Sequence, residues 1–156
     1  MTELKNPFTR QHDFNCFGCS PDNSNGLHLQ FAAEGDKVIC EWAVPAGFEG
    51  WPGVVHGGIT ATMMDEIAGW YIFAILGVAC MTVNLNIHYE KPLYSRNGKI
   101  RAEAVCIERH KRIAKIRVDV SNSDGSLAAW GELKYYCFTE EESKSKMNFP
   151  GKEAFR

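Results

Sequence analysis

The sequence predicts an α+β domain in which one long apolar helix lies against an antiparallel sheet. Three observations carry that prediction. A helical, nearly charge-free run follows a glycine-rich loop and extends to Leu76. Four segments after it read as strands, Met81–Tyr89 by strict alternation of apolar and polar residues. The chain has 156 residues, enough for one ordinary domain and its core.

The elements follow in order. Residues up to about Asn25 are rich in Asn, Pro, Ser and Gly and read as loop. Leu27–Ala33 and Lys37–Val44 read as two strands joined by the turn Glu34-Gly35-Asp36. Pro45–Gly58 holds two prolines and five glycines, a long shaped loop. The helix runs from there to Leu76, with Gly77 as its stop. In Met81–Tyr89, Met81, Val83, Leu85, Ile87 and Tyr89 alternate with Thr82, Asn84, Asn86 and His88, which predicts a half-buried strand ended by Pro92. Lys99–Glu108, Ile113–Ser121 and Leu127–Phe138 complete a β-β-α-β-β-β-β order. This divides the chain into an N-terminal loop segment (1–26), a folded domain (27–138) and a polar, frayed tail (139–156).

Composition excludes several classes. Apolar residues make up 45% and charged residues 23%, the balance of a globular protein rather than a disordered one. Basic residues number 17 against 19 acidic, so no general field attracts nucleic acid or anionic lipid. Ile67–Val83 is uncharged but shorter than the roughly 20 residues of a membrane span and is broken by Gly77. Neither a membrane nor a nucleic acid is expected as partner. Met1–Arg10 has no apolar secretory core, and six cysteines at this density read as reduced residues of a cytoplasmic protein.

The helix has almost no polar face, and one sheet covers only one side of it. Either the sheet wraps around it or a second subunit covers the rest, which points to a homo-oligomer. Between Glu49 and Glu90 the only acidic or basic residues are Asp65 and Glu66, both inside this helix. A buried carboxylate without a basic partner is costly and usually titrates high, which marks a functional candidate. Adjacent helical residues point about 100° apart, so the two need not share a site.

The helix opens with His56-Gly57-Gly58. Unpaired N–H groups at a helix start, with no side chain in the way, can hold an oxyanion. Asp65 lies nine residues beyond His56, roughly 13 Å along the axis. If Asp65 and the Gly57 N–H serve one atom, they come from different subunits.

The run His56-Gly57-Gly58-Ile59-Thr60-Ala61-Thr62-Met63-Met64-Asp65, followed by alternating strands, resembles the hotdog-fold thioesterases of the phenylacetyl-CoA thioesterase-like group. The similarity extends from Cys16 to about Phe138. It implies a curled antiparallel sheet around one central helix, in dimers or dimers of dimers. It implies hydrolysis of a small or aromatic acyl-CoA thioester. Asp65 would be general base or nucleophile, and the Gly57 N–H would stabilise the oxyanion. His56 would shape the loop and hold the carbonyl, with Gly58 beside it. The resemblance also puts Thr82 where relatives carry a hydroxyl residue. It leaves Gly50 where several carry Asn or Gln. No metal or redox cofactor is implied.

Other residues are candidates on chemistry alone. Glu66 is an alternative acid beside Asp65. Trp51 could line an acyl pocket. Arg109, Lys111 and Arg112, in a basic turn, could meet the phosphates of coenzyme A. Cys16-Phe17-Gly18-Cys19 with His12 and His28 offers four zinc ligands, but the spacing is not that of a zinc finger, so a structural loop without metal is expected. Two rival functions stay open: an acyl-CoA-binding module without catalysis, and a hydratase or dehydratase on the same fold.

Overall fold

The computed structural model describes residues 1–156. Seven strands form one antiparallel sheet: β1 (Thr2–Glu3), β2 (Ala32–Glu34), β3 (Lys37–Trp42), β4 (Cys80–Tyr89), β5 (Ile100–His110), β6 (Ile113–Ser121) and β7 (Leu127–Cys137). Their spatial order is β1-β2-β3-β5-β6-β7-β4. The helix α1 (Gly57–Tyr71) connects β3 to β4 and packs against β3 through β7. The sheet therefore curls around it. Met63, Met64, Ile67, Ala68 and Ile72 have no exposed surface. Gly131 on β7 permits this approach: an added Cβ would lie 2.9 Å from the Asn86 carbonyl and 3.1 Å from Met64 Cε. This is the hotdog architecture the resemblance implied.

The helix ends differently from a plain α-helix. Ile72–Leu76 winds as a π-turn, and the Gly77 N–H closes it on the Ile72 carbonyl at 2.8 Å. Gly77 sits at φ 79°, the left-handed conformation that stops the helix. Gly57–Leu76 is apolar and, at 20 residues, long enough to cross a membrane by length and composition, but it is the core helix of this sheet.

Three expectations change. Leu27–Phe31 does not join the sheet as the start of a strand. Leu27 and Leu29 give their N–H groups to Phe17 and Gly18, so the N-terminal loop occupies the partner position a strand would need. The segment after Thr139 is not frayed. Thr139 and Glu142 form a capping box that starts α2 (Glu140–Met147), and Ser143 Oγ accepts the Ala79 N–H at 2.9 Å. Beyond it, Phe149 and Phe155 are buried against Phe8 and Phe73, and Phe155 also meets Trp70. The alternation in β4 predicts a half-buried strand, yet Met81, Val83, Leu85 and Tyr89 are all exposed. β4 is the sheet edge, and nothing in the chain pairs with its outer side.

Candidate active site

Asp65 lies half-buried on the side of α1 that faces β4 and β7. Its Oδ1 accepts two hydrogen bonds, from Tyr135 Oη at 2.7 Å and from Thr82 Oγ1 at 2.9 Å. Neither contact uses Oδ2, which is left for a water or a substrate. Burial, and then the Asp65 carboxylate, push the Tyr135 phenol far above its ordinary value, so it remains a donor.

Thr82 reaches Asp65 through a defect in the strand. The β4–β7 register skips between Thr82 and Asn84, with Thr82 opposite Tyr135 and Leu85 opposite Leu133. Val83 is the extra residue of a β-bulge. The bulge shifts the alternation, so Thr82 shares the inner face with Leu85, Ile87 and Tyr89 rather than opposing them. Tyr135 was not singled out from the sequence. The signal that could have found it is the spacing of Leu133, Tyr135 and Cys137 along β7, but only the register against Thr82 joins it to Asp65.

The other half of the predicted machinery is at the far end of α1. His56 caps the helix, and its Nδ1 accepts the Gly58 N–H at 2.9 Å. With Nδ1 an acceptor, the neutral ring carries its proton on Nε2, a donor toward solvent. Tyr89 Oη donates to the Gly57 carbonyl at 2.6 Å and ties the end of β4 to the helix start. The Gly57 N–H has no intrahelical acceptor and stands at the positive end of the helix dipole. A cleft of about 610 Å³ opens there, lined by Trp51, Val55, His56, Gly57, Tyr89 and Lys91 among others. Trp51 is 80% exposed at its rim.

The loop before His56 is braced from outside. Glu49 accepts from Ser95 Oγ at 2.6 Å and from both Nε and Nη2 of Arg96. Arg96, then Ser95, hold the Glu49 carboxyl down at about 2. Short bridges pair Glu49 with Val55 and Val54 with Tyr94.

Within one chain Asp65 and Gly57 do not meet. Eight residues of helix separate them, roughly 12 Å, and Asp65 does not line the cleft. Glu66 also stands apart from both. It points to the N-terminal loop, where Cys16 Sγ and Trp70 Nε1 lie 3.4 and 3.3 Å from its Oε1. Burial, then the Cys16 sulfur, raise its carboxyl to about 7. The predicted high-titrating acid is thus Glu66. The basic turn is the exposed β5–β6 hairpin, remote from the cleft, and Arg112 pairs with Glu142 at 3.0 Å.

The profile of the Thioesterase superfamily matches residues 52–129, from the cleft loop into β7. The human acyl-coenzyme A thioesterase 13 is 35% identical over 108 residues, 67% of this chain and 75% of that protein. The rat acyl-coenzyme A thioesterase THEM4 is 42% identical over 72 residues, 44% of this chain. The chain spans 30% of the length of that relative. The crystal structure of a phenylacetic acid degradation-related protein of Ralstonia eutropha superposes with a TM-score of 0.65 at 22% identity, over 76% of this chain and 92% of that one. That likeness shows the fold.

Proposed function

The chain belongs to the thioesterase superfamily, and from that premise we propose that it hydrolyses an acyl-CoA thioester at a site shared by two subunits. The observation that carries this reading is the split of the machinery. An acid oriented by two hydroxyls lies at one point of α1, and an unpaired helix N-terminus lies roughly 12 Å away along it. A second copy paired along the open edge of β4 would bring its own Gly57 toward this Asp65. The exposed Met81, Val83 and Leu85 on that edge support such a partner.

In the proposed reaction Asp65 Oδ2 takes a proton from water as the water oxygen attacks the thioester carbonyl. The carbonyl oxygen gathers negative charge, which the partner subunit's Gly57 N–H stabilises; the Nε2–H of the partner subunit's His56 adds a second donor. The tetrahedral intermediate then expels the thiolate, which recovers the proton from Asp65. Water and thioester become a carboxylic acid and a free thiol. Losing one oxyanion donor typically raises the barrier by about 3–4 kcal/mol, and a general base contributes about 10²–10⁴-fold. The scheme uses no metal or redox cofactor.

Trp51 and the open cleft suit a small or aromatic acyl group. Lys91 lines the cleft beside Gly57 and offers a cation for coenzyme A phosphate, whereas Arg109 and Lys111 lie outside the cleft of their own chain. The compartment we propose is the cytoplasm, on the cysteine usage of the sequence.

Thiol release from a panel of acyl- and aryl-CoA esters tests the reading. The wild type turns over at least one class, and Asp65→Asn loses at least about a hundredfold in kcat with the fold kept. Ester binding without turnover by the wild type would instead make the protein an acyl-CoA-binding module.

A further inference from the structure

The N-terminal loop is folded around Glu66 in a way the hydrolytic scheme does not use. Cys16, Cys19 and Glu66 bring two sulfurs and a carboxylate oxygen within 4.8 Å of one another. Glu66 is largely buried, is in no ion pair, and lies in a stretch without lysine or arginine. Two thiols and an acid gathered without a cation form a site short of positive charge.

The loop is shaped for this approach. Gly18, between the cysteines, is buried, and a Cβ on it would lie 2.5–2.7 Å from Cγ, Cδ and Oε2 of Glu66. A side chain at this position would displace the carboxylate from where it stands. The Ser20 N–H bonds the Cys16 carbonyl at 3.1 Å and closes the turn, while Leu27 and Leu29 anchor its back to Phe17 and Gly18. Trp70 Nε1 donates to Glu66 Oε1 and orients the acid as an outer partner does in a metal site.

We propose that Cys16, Cys19 and Glu66 form a binding site for one thiophilic divalent cation, zinc by preference, with solvent in the fourth position. Two thiolates and a carboxylate suit a tetrahedral zinc ion and disfavour magnesium or calcium, which take oxygen ligands. Each coordinated thiol gives up its proton on binding. His12 and His28 are not ligands: the first is exposed beside Asp13, and the second is exposed and bonded to the Asn23 carbonyl. The ion would pin the N-terminal loop to α1 one residue from Asp65. This site is independent of the hydrolytic reading.

Reduced, metal-stripped protein is titrated with zinc against a chromophoric chelator and, separately, with cobalt. The expected result is one zinc per chain. Cobalt should give tetrahedral d–d bands and a thiolate-to-cobalt charge-transfer band. Cys16→Ser should weaken the band and lower zinc affinity by about a hundredfold or more, because loss of mere outer-shell partners already costs 10–100-fold. Glu66→Gln should keep the charge-transfer band while lowering affinity. Failure of the wild type to bind zinc stoichiometrically when reduced would overturn the proposal. So would cobalt bands without thiolate character, a Cys16–Cys19 disulfide that survives excess reductant, or unchanged zinc affinity in folded Cys16→Ser. The wild-type cobalt spectrum decides the matter even if a variant fails to fold.

Discussion

Thr82 and Tyr135 are Cα partners across β4 and β7, and both hydroxyls end on the same oxygen of Asp65. The pairing is geometric before it is chemical. A bulge at Val83 turns Thr82 to the inner face, where Tyr135 already points. The two donors fix which carboxylate oxygen stays free.

Tyr135→Phe should lower kcat about tenfold with KM little changed, because one hydrogen bond to a carboxylate, about 1.5 kcal/mol, is lost from an acid that must stay aimed. Thr82→Val should do the same, and the double variant should approach Asp65→Asn. Steady-state thiol release checks this. A rise in KM with kcat preserved would instead give the hydroxyls a role in binding.

Val83→Lys should produce a monomer. It sets a charge on the open edge of β4, where Val83 is 57% exposed. Light scattering after size-exclusion chromatography gives the mass, and thiol release should fall with the dimer. A monomeric wild type, or a monomeric variant with full activity, would contradict the shared site.

Glu49→Gln tests the brace on the cleft loop. The Glu49 carboxyl sits at about 2 when folded, below its ordinary value near 4.5, so the ion pair adds stability above that ordinary value. It is lost as pH falls through about 2. The variant should melt lower than wild type at neutral pH, and the gap should close between about pH 4.5 and 2. A gap constant with pH would assign the effect to packing.

Phe155→Ala should cost about 3–5 kcal/mol in urea unfolding, the range for emptying a buried phenylalanine site. Phe155 has no exposed surface and meets Phe8, Trp70, Phe73 and Phe149. A loss below about 1 kcal/mol would mean that the C-terminal segment is only loosely docked.

Much of this was legible in the chain. The apolar helix, its glycine stop and the four later strands follow from periodicity, because a buried helix and a pleated strand impose different repeats on apolar residues. The pairing of Asp65 with Tyr135 was not legible. It depends on strand register, and a single bulged residue reverses which side chains face inward. Glu66 likewise could not be separated from Asp65 by adjacency. Its direction is set by Gly18, 48 positions earlier, whose missing side chain makes the space it fills. The C-terminal segment misled because its charges lie in α2, whereas Phe149 and Phe155 after it do the packing.

Subunit exchange between two inactive variants tests the shared site most directly. Asp65→Asn removes the acid, and Gly57→Pro removes the N–H while leaving a residue that tolerates a helix start. Mixed after exchange, they should recover about a quarter of wild-type thiol release, since half the dimers are then mixed and each rebuilds one of its two sites. Activity that stays at the sum of the separate variants, with mixed dimers demonstrated by mass, would contradict a site built from two chains.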